Sequence, residues 1–224
     1  MSRKLRMVLL VGLCVAGLLI VAVVGLYWAA KHEPAFYCNA MATSETDLTD
    51  GSQQMLREAA ALESVGQRNG RWQAVITAAH LNGWLAVDRA KNHPNLLPPT
   101  VHDPRVAIDA HGITIGCRFD HPMVTTVLSL NVQPFLSESN VVGLRIVRAR
   151  AGAIPLPLGQ VLDAVSETAH AADLSLRWRH TDGDPVALVS LPEDDDARHL
   201  VRIDKIELRD GEIRVSGTTR RQKP

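Results

Sequence analysis

The chain has 224 residues, and its 24 lysines and arginines are balanced by 24 aspartates and glutamates. That neutrality excludes a global electrostatic attraction for nucleic acid. The sequence also lacks a glycine-rich phosphate loop, a Gly-x-Ser-x-Gly elbow and a Ser-x-x-Lys pair, so no cofactor and no catalytic residue is expected.

The N-terminus sets the first expectation. Residues 1–6 carry Arg3, Lys4 and Arg6 without an acid, and residues 7–30 (MVLLVGLCVAGLLIVAVVGLYWAA) carry no charge at all. At 1.5 Å per residue such a helix is roughly 36 Å long, enough for a hydrocarbon core of about 30 Å. A cleaved signal peptide would have a shorter apolar core and a small residue where Trp28 stands. Residues 7–30 therefore read as an uncleaved transmembrane helix, with Tyr27 and Trp28 at its interfacial end. Residues 1–6 become a cytoplasmic tail by the positive-inside bias, and the rest of the chain lies outside the cytoplasm. Without the three leading basic residues the remainder has a net charge of −3.

Residues 31–50, with a proline and no sustained period, read as a tether, followed by a domain over 51–224. Asp50 or Ser52 can cap a helix running to about Arg68, with Met55, Ala59, Leu62 and Val65 on its apolar side. Trp72, Ala74 and Ile76 then alternate as a strand. Thr77 can cap a short helix over 78–88 that turns Leu81, Trp84 and Leu85 inward, while Gly83 permits close approach of another backbone. Further strands are expected around Val106–Ile108, Ile113–Cys117, Leu128–Val132 and Leu174–Trp178, with hairpin turns at Asp182-Gly183 and Asp210-Gly211. Pro155 and Pro157 lead into a long helix whose Leu158, Val161, Leu162 and Val165 share one face. The fold class expected is α+β: an N-terminal transmembrane helix, then a twisted antiparallel sheet packed with one long and one or two shorter helices.

Candidate sites are few. His80 has no carboxylate within reach on its helix, since Asp88 lies two turns away; a stack on Trp84 is the structural alternative. His93, His102 and Asp103 flank the Pro98-Pro99 passage, but no histidine spacing of a zinc site is present. The acidic run Glu193–Asp196 lacks the spacing of a calcium loop and reads as a hairpin tip. Cys38 and Cys117 could pair in an oxidising compartment, although Cys117 falls on an apolar strand face that favours a buried thiol. Arg145, Arg148 and Arg150, with Arg177 and Arg179 on another strand, could meet anionic headgroups if they share a sheet face.

The stretches "ITAAHLNGWLA", "DPRVAIDAHGITIGCRF", "AGAIPLPLGQVLDAV" and "IDKIELRDGEIRVSG" resemble single-span extracytoplasmic bacterial proteins of uncharacterised function. More loosely, they are similar to small bacterial relatives of tubular lipid-binding domains, the group typified by bactericidal/permeability-increasing protein. The resemblance spans residues 70–218 and rests on Thr77, Leu81, Asn82, Leu85 and the Asp210-Gly211 turn. His80 departs from it, standing where an acidic or amide residue is usual. It implies a long helix lying in a curved sheet with room for acyl chains between them. Leu158, Val161, Leu162, Val165, Leu174, Leu176 and Trp178, with Leu81, Trp84 and Leu85, would line that groove. The function expected is non-enzymatic binding of a lipid or apolar ligand in the cell envelope. A scaffold module docking onto an envelope protein and an enzyme with a loop-assembled site are the alternatives.

Overall fold

The computed structural model describes residues 18–66, 69–122, 124–138, 140–171, 176–181, 184–190 and 199–221. Helix α1 is described over residues 18–30, and helix α2 (Ala35–Met41) follows after a turn. Helix α3 (Glu45–Gly66) starts earlier than its sequence pattern indicates. Ser44 is its cap: the Asp47 N–H donates to Ser44 Oγ at 3.2 Å, so an otherwise orphaned donor of the first turn is satisfied. Residues 31–50, read from the sequence as a tether, hold α2 and the first turns of α3. Tyr37 on α2 is fully buried and donates its hydroxyl to the Asp103 carbonyl at 2.9 Å, which pins this segment to the domain.

Among the described residues, ten strands follow the α+β expectation. Strands β1 (Gly70–Thr77), β9 (His199–Arg209) and β10 (Glu212–Arg221) form a three-stranded antiparallel sheet in the order β1-β10-β9. The larger antiparallel sheet runs β2 (Val101–Asp109), β3 (Gly112–His121), β4 (Val124–Glu138), β5 (Val141–Ala151), β8 (Asp184–Ser190), β7 (Leu176–Thr181). A short β6 (Ile154–Pro155) pairs with β5. Asp109 closes the β2–β3 hairpin by accepting from the His111 and Gly112 N–H groups. The core follows from the period of two. Rows such as Ile108–Ile113–Val132–Ile146 and Val106–Ile115–Leu130–Ala149 cross the sheet on one face. Val106, Ile108, Val132, Ile146 and Ala149 from these rows are buried.

Thr77 caps the helix after β1 by accepting from the His80 N–H, as its position predicts. This helix, α4 (Ala78–Gly83), widens into a π-helical turn (Trp84–Asp88) before α5 (Arg89–Asn92). Its inward face differs from the expected one. Asn82 and Gly83 are buried, whereas Leu81, Trp84 and Leu85 are only half-buried. Two causes are visible. A Cβ at Gly83 would sit 2.5 Å from the Leu48 carbonyl oxygen and against the Ser52 N–H, and one at Gly51 would lie 2.5 Å from the Ala79 oxygen, so α3 and α4 touch backbone to backbone. Asn82 in turn caps the open edge of β2: its Nδ2 donates to the Val106 carbonyl at 2.9 Å and its Oδ1 accepts from the Val106 N–H at 2.7 Å. A side-chain amide here replaces the missing neighbouring strand.

The long helix is α6 (Leu158–Ala171), as its apolar face predicts. It is held to the sheet where Trp178 Nε1 donates to Ser166 Oγ at 2.7 Å. Among the described residues no helix is long and apolar enough to cross a membrane. The transmembrane reading of residues 7–30 extends over residues 7–17, which lie outside the described residues.

Candidate functional site

Among the described residues, two places concentrate exposed chemistry, and β4 joins them. At one end is the foot of α1. Its last two carbonyls are taken by the domain: the Ala153 N–H donates to Ala29 O at 2.8 Å, and Thr126 Oγ1 donates to Ala30 O at 2.6 Å. Such C-terminal carbonyls have no intrahelical partner, so the domain supplies their caps. Gly152, at a φ of +59°, donates its N–H to Val127 O and leaves no space for a side chain, since a Cβ would fall 2.5 Å from Ala29 O. Above this foot α1 is bare. Every large apolar side chain from Leu18 to Trp28 is exposed, with Leu18 and Trp28 both at 70%.

At the far end of β4, Asn140 (φ +61°) holds β9: its Nδ2 donates to Val201 O at 2.7 Å and its Oδ1 accepts from the Ile203 N–H at 3.0 Å. From Thr126 to Glu138 the strand is roughly 40 Å long at about 3.3 Å per residue. Beside that far end lies the outer face of the three-stranded sheet. The alternation of β1, β10 and β9 puts Ala74, Val215 and Ile206 on its inner side. Arg71, Thr218 and Arg202 therefore form one row across three strands on the outer side. Arg71, Arg202, Asp204, Thr218 and Arg220 line a cavity of about 440 Å³. The register of β9 shifts opposite Ser216 and Gly217, beside Asp204.

Charge on this face is unevenly paired. Lys205 meets Glu207 at 2.6 Å, and that hydrogen bond and charge hold the Glu207 carboxyl below its ordinary pKa. Arg214 meets Glu212 at 2.6 Å. Arg202 Nε meets Asp204 at 3.3 Å. Arg71 and Arg220 have no ion-pair partner among the described residues. The cavity thus holds three guanidinium groups against one carboxylate.

The residues expected to form an apolar groove are not all brought together. Leu158, Val161, Leu162 and Val165 on α6 are half-buried, as are Leu176 and Trp178 on β7; Leu174 lies outside the described residues. Leu81, Trp84 and Leu85 are elsewhere: their helix packs at β2, the opposite edge of the seven-stranded sheet from β7. Sequence spacing could place each residue on a face but could not place the two faces at opposite edges.

The arginines do share a face. The rows Arg145–Val186–Arg179 and Gly143–Leu188–Arg177 put Arg145, Arg177 and Arg179 on one side. The register shift opposite Asn131 and Val132 keeps Arg148 on that side with Arg150. Arg148 and Arg150 are exposed, and Arg150 is two residues from Gly152, beside the foot of α1.

The histidines disperse. His80 Nε2 shares a 2.7 Å hydrogen bond with Gln54 Oε1, while the Trp84 and His93 ring centroids lie 6.3 Å apart. His102 pairs with Asp120 at 3.6 Å, and Asp103 offers its backbone carbonyl to Tyr37. Among the described residues no group of three or more His, Cys, Asp or Glu side chains is placed to hold a metal ion. Cys38 is an exposed free thiol and Cys117 a free thiol whose pKa burial pushes up to about 11. The acidic run Glu193–Asp196 is outside the described residues.

The sequence reading missed the Arg71–Arg202–Arg220 cavity. Its arginines come from segments about 130 residues apart in the chain, and only the β1–β10–β9 register assembles them. No known protein family, curated protein or solved structure matches this chain.

Proposed function

We propose that this chain is a single-span membrane protein whose β-rich domain stands outside the cytoplasm as a binding module. The observation that carries this reading is the contrast along α1. Its foot is clasped by Ala153 and Thr126, while the helix beyond it is apolar and exposed on all sides from Leu18 to Trp28. A helix with no polar face and no packing partner among the described residues is at odds with water and suited to hydrocarbon. The uncharged run from Met7 to Ala30 gives it the length to span. Lys31 lies 5.0 Å from the Tyr27 ring centroid, in keeping with a membrane–water interface at this point. Arg148 and Arg150, beside the foot, are positioned for anionic headgroups of the same bilayer. The clasp fixes the domain to its anchor instead of letting it swing on a tether.

The test is fractionation. The full chain should remain in the pellet when membranes are washed with alkaline carbonate, and should be released only by detergent. Recovery in the wash would remove this reading. A second reading, that the domain carries a lipid or other apolar ligand, is favoured by the half-buried Leu158, Val161, Leu162 and Val165 on α6 facing Trp178. Native mass spectrometry of the detergent-purified chain should then show a retained lipid, and an adduct-free spectrum would end it.

A further inference from the structure

We infer that the cavity lined by Arg71, Arg202, Asp204, Thr218 and Arg220 is a binding site for a phosphate-bearing anion. Elsewhere on the same face two basic groups have an acid beside them: Lys205 has Glu207 and Arg214 has Glu212. At the cavity that pattern stops. Arg71 and Arg220 face it with no ion-pair partner among the described residues, and its one carboxylate, Asp204, engages Arg202 through Nε. Three like charges held together on adjacent strands repel one another, and a dianion in the cavity removes that repulsion.

The donor set favours phosphate over carboxylate. A carboxylate is planar and is satisfied by one bidentate fork. Three guanidinium groups from β1, β9 and β10, with the Thr218 hydroxyl between two of them, converge on the cavity from different strands. That arrangement suits the tetrahedral oxygens of a phosphate. A volume of about 440 Å³ exceeds what inorganic phosphate needs and leaves space for the group that bears it.

The source of that phosphate can be narrowed. The cavity lies beside Val201–Ile203, at the Asn140 end of β4, and the foot of α1 lies at the Thr126 end, roughly 40 Å away along the strand. The ligand is therefore a soluble phosphorylated molecule and not a headgroup of the bilayer that the chain spans. This last clause rests on the membrane reading above; the site itself does not.

The experiment uses the full chain in neutral-detergent micelles, titrated calorimetrically with inorganic pyrophosphate and, separately, with succinate. Pyrophosphate should bind with an affinity that falls as salt rises. The Arg71→Ala/Arg220→Ala double variant changes two exposed side chains that have no ion-pair partner among the described residues, and it should bind at least tenfold more weakly. Unchanged binding by the double variant, no binding by the native chain, or succinate binding as tightly as pyrophosphate would each overturn the site. The same titration in lipid nanodiscs tests the source: equal affinity with zwitterionic and anionic lipid supports a soluble ligand. Suppression by anionic lipid would overturn that clause and leave the site intact. A chain that binds pyrophosphate but fails to enter nanodiscs would instead count against the membrane reading alone.

Discussion

Replacing Asn82 by alanine should damage the fold more than its short, polar side chain suggests. The amide satisfies both the N–H and the carbonyl of Val106, at 2.7 and 2.9 Å, on the edge strand of the larger sheet. Asn82 and Val106 are both buried, at 7% relative exposure each. Alanine leaves two backbone groups without partners, and each costs about 1–3 kcal/mol when buried and unsatisfied. Alanine's better helix propensity returns at most about 0.7 kcal/mol. The net expectation is a loss of about 2–4 kcal/mol, enough to change the folded fraction markedly. Asn82→Asp should fail as well, because its second oxygen would face the Val106 carbonyl where a donor is required. Urea unfolding of the full chain in neutral micelles, followed by tryptophan fluorescence, gives the energy. Hydrogen exchange at the Val106 amide gives the local effect. A loss under about 0.5 kcal/mol with Val106 exchange unchanged would refute the edge-cap argument.

Three further outcomes follow from the packing. Gly83→Val should separate α3 from α4, because the Leu48 oxygen is already 2.5 Å from where a Cβ would stand; a midpoint shift toward lower urea measures it. Tyr37 is held protonated by burial first and by the Asp103 charge second, so its pKa is raised from 10.0 to about 12. The folded state then keeps a proton that the unfolded state releases, so Tyr37's contribution to stability is complete below pH 10 and is lost between pH 10 and 12. That slope should vanish in Tyr37→Phe, read by denaturation at several pH values. Iodoacetamide at pH 8 should modify Cys38 readily and Cys117 only after unfolding, since burial holds the Cys117 thiol protonated; peptide mass mapping shows the order.

Local chemistry was readable from sequence at several single positions. Thr77 capping, the long helix after Pro157 and the turn at Gly211 all follow from single positions with strong local preferences. Helix α2 was not readable, because AFYCNAM has no amphipathic period and is held by one buried ring, Tyr37, whose partner Asp103 is 66 residues away. The inward face of α4 was misjudged for a related reason. Hydrophobic periodicity selects Leu81, Trp84 and Leu85, but a neighbouring glycine on α3 and an unpaired strand edge turn Gly83 and Asn82 inward instead. The basic face of the larger sheet was legible as a set of arginines, and a register shift that keeps Arg145 and Arg148 on one side was not. The cavity on the smaller sheet was invisible until its strand order was known. Neither β1 nor β10 carries an unusual charge by itself.

The most direct measurement of the central claim uses the chain's own exposed thiol. Cys38 lies eight residues beyond Ala30, outside the uncharged run and open to solvent. Spheroplasts expressing the full chain would be treated with a membrane-impermeant maleimide before and after lysis, and the carbonate-resistant membrane fraction would be analysed by mass. A membrane-anchored domain outside the cytoplasm predicts Cys38 labelled in intact spheroplasts, on chains that stay with the membrane pellet. Labelling only after lysis, or labelled chain recovered in the carbonate wash, would contradict the account.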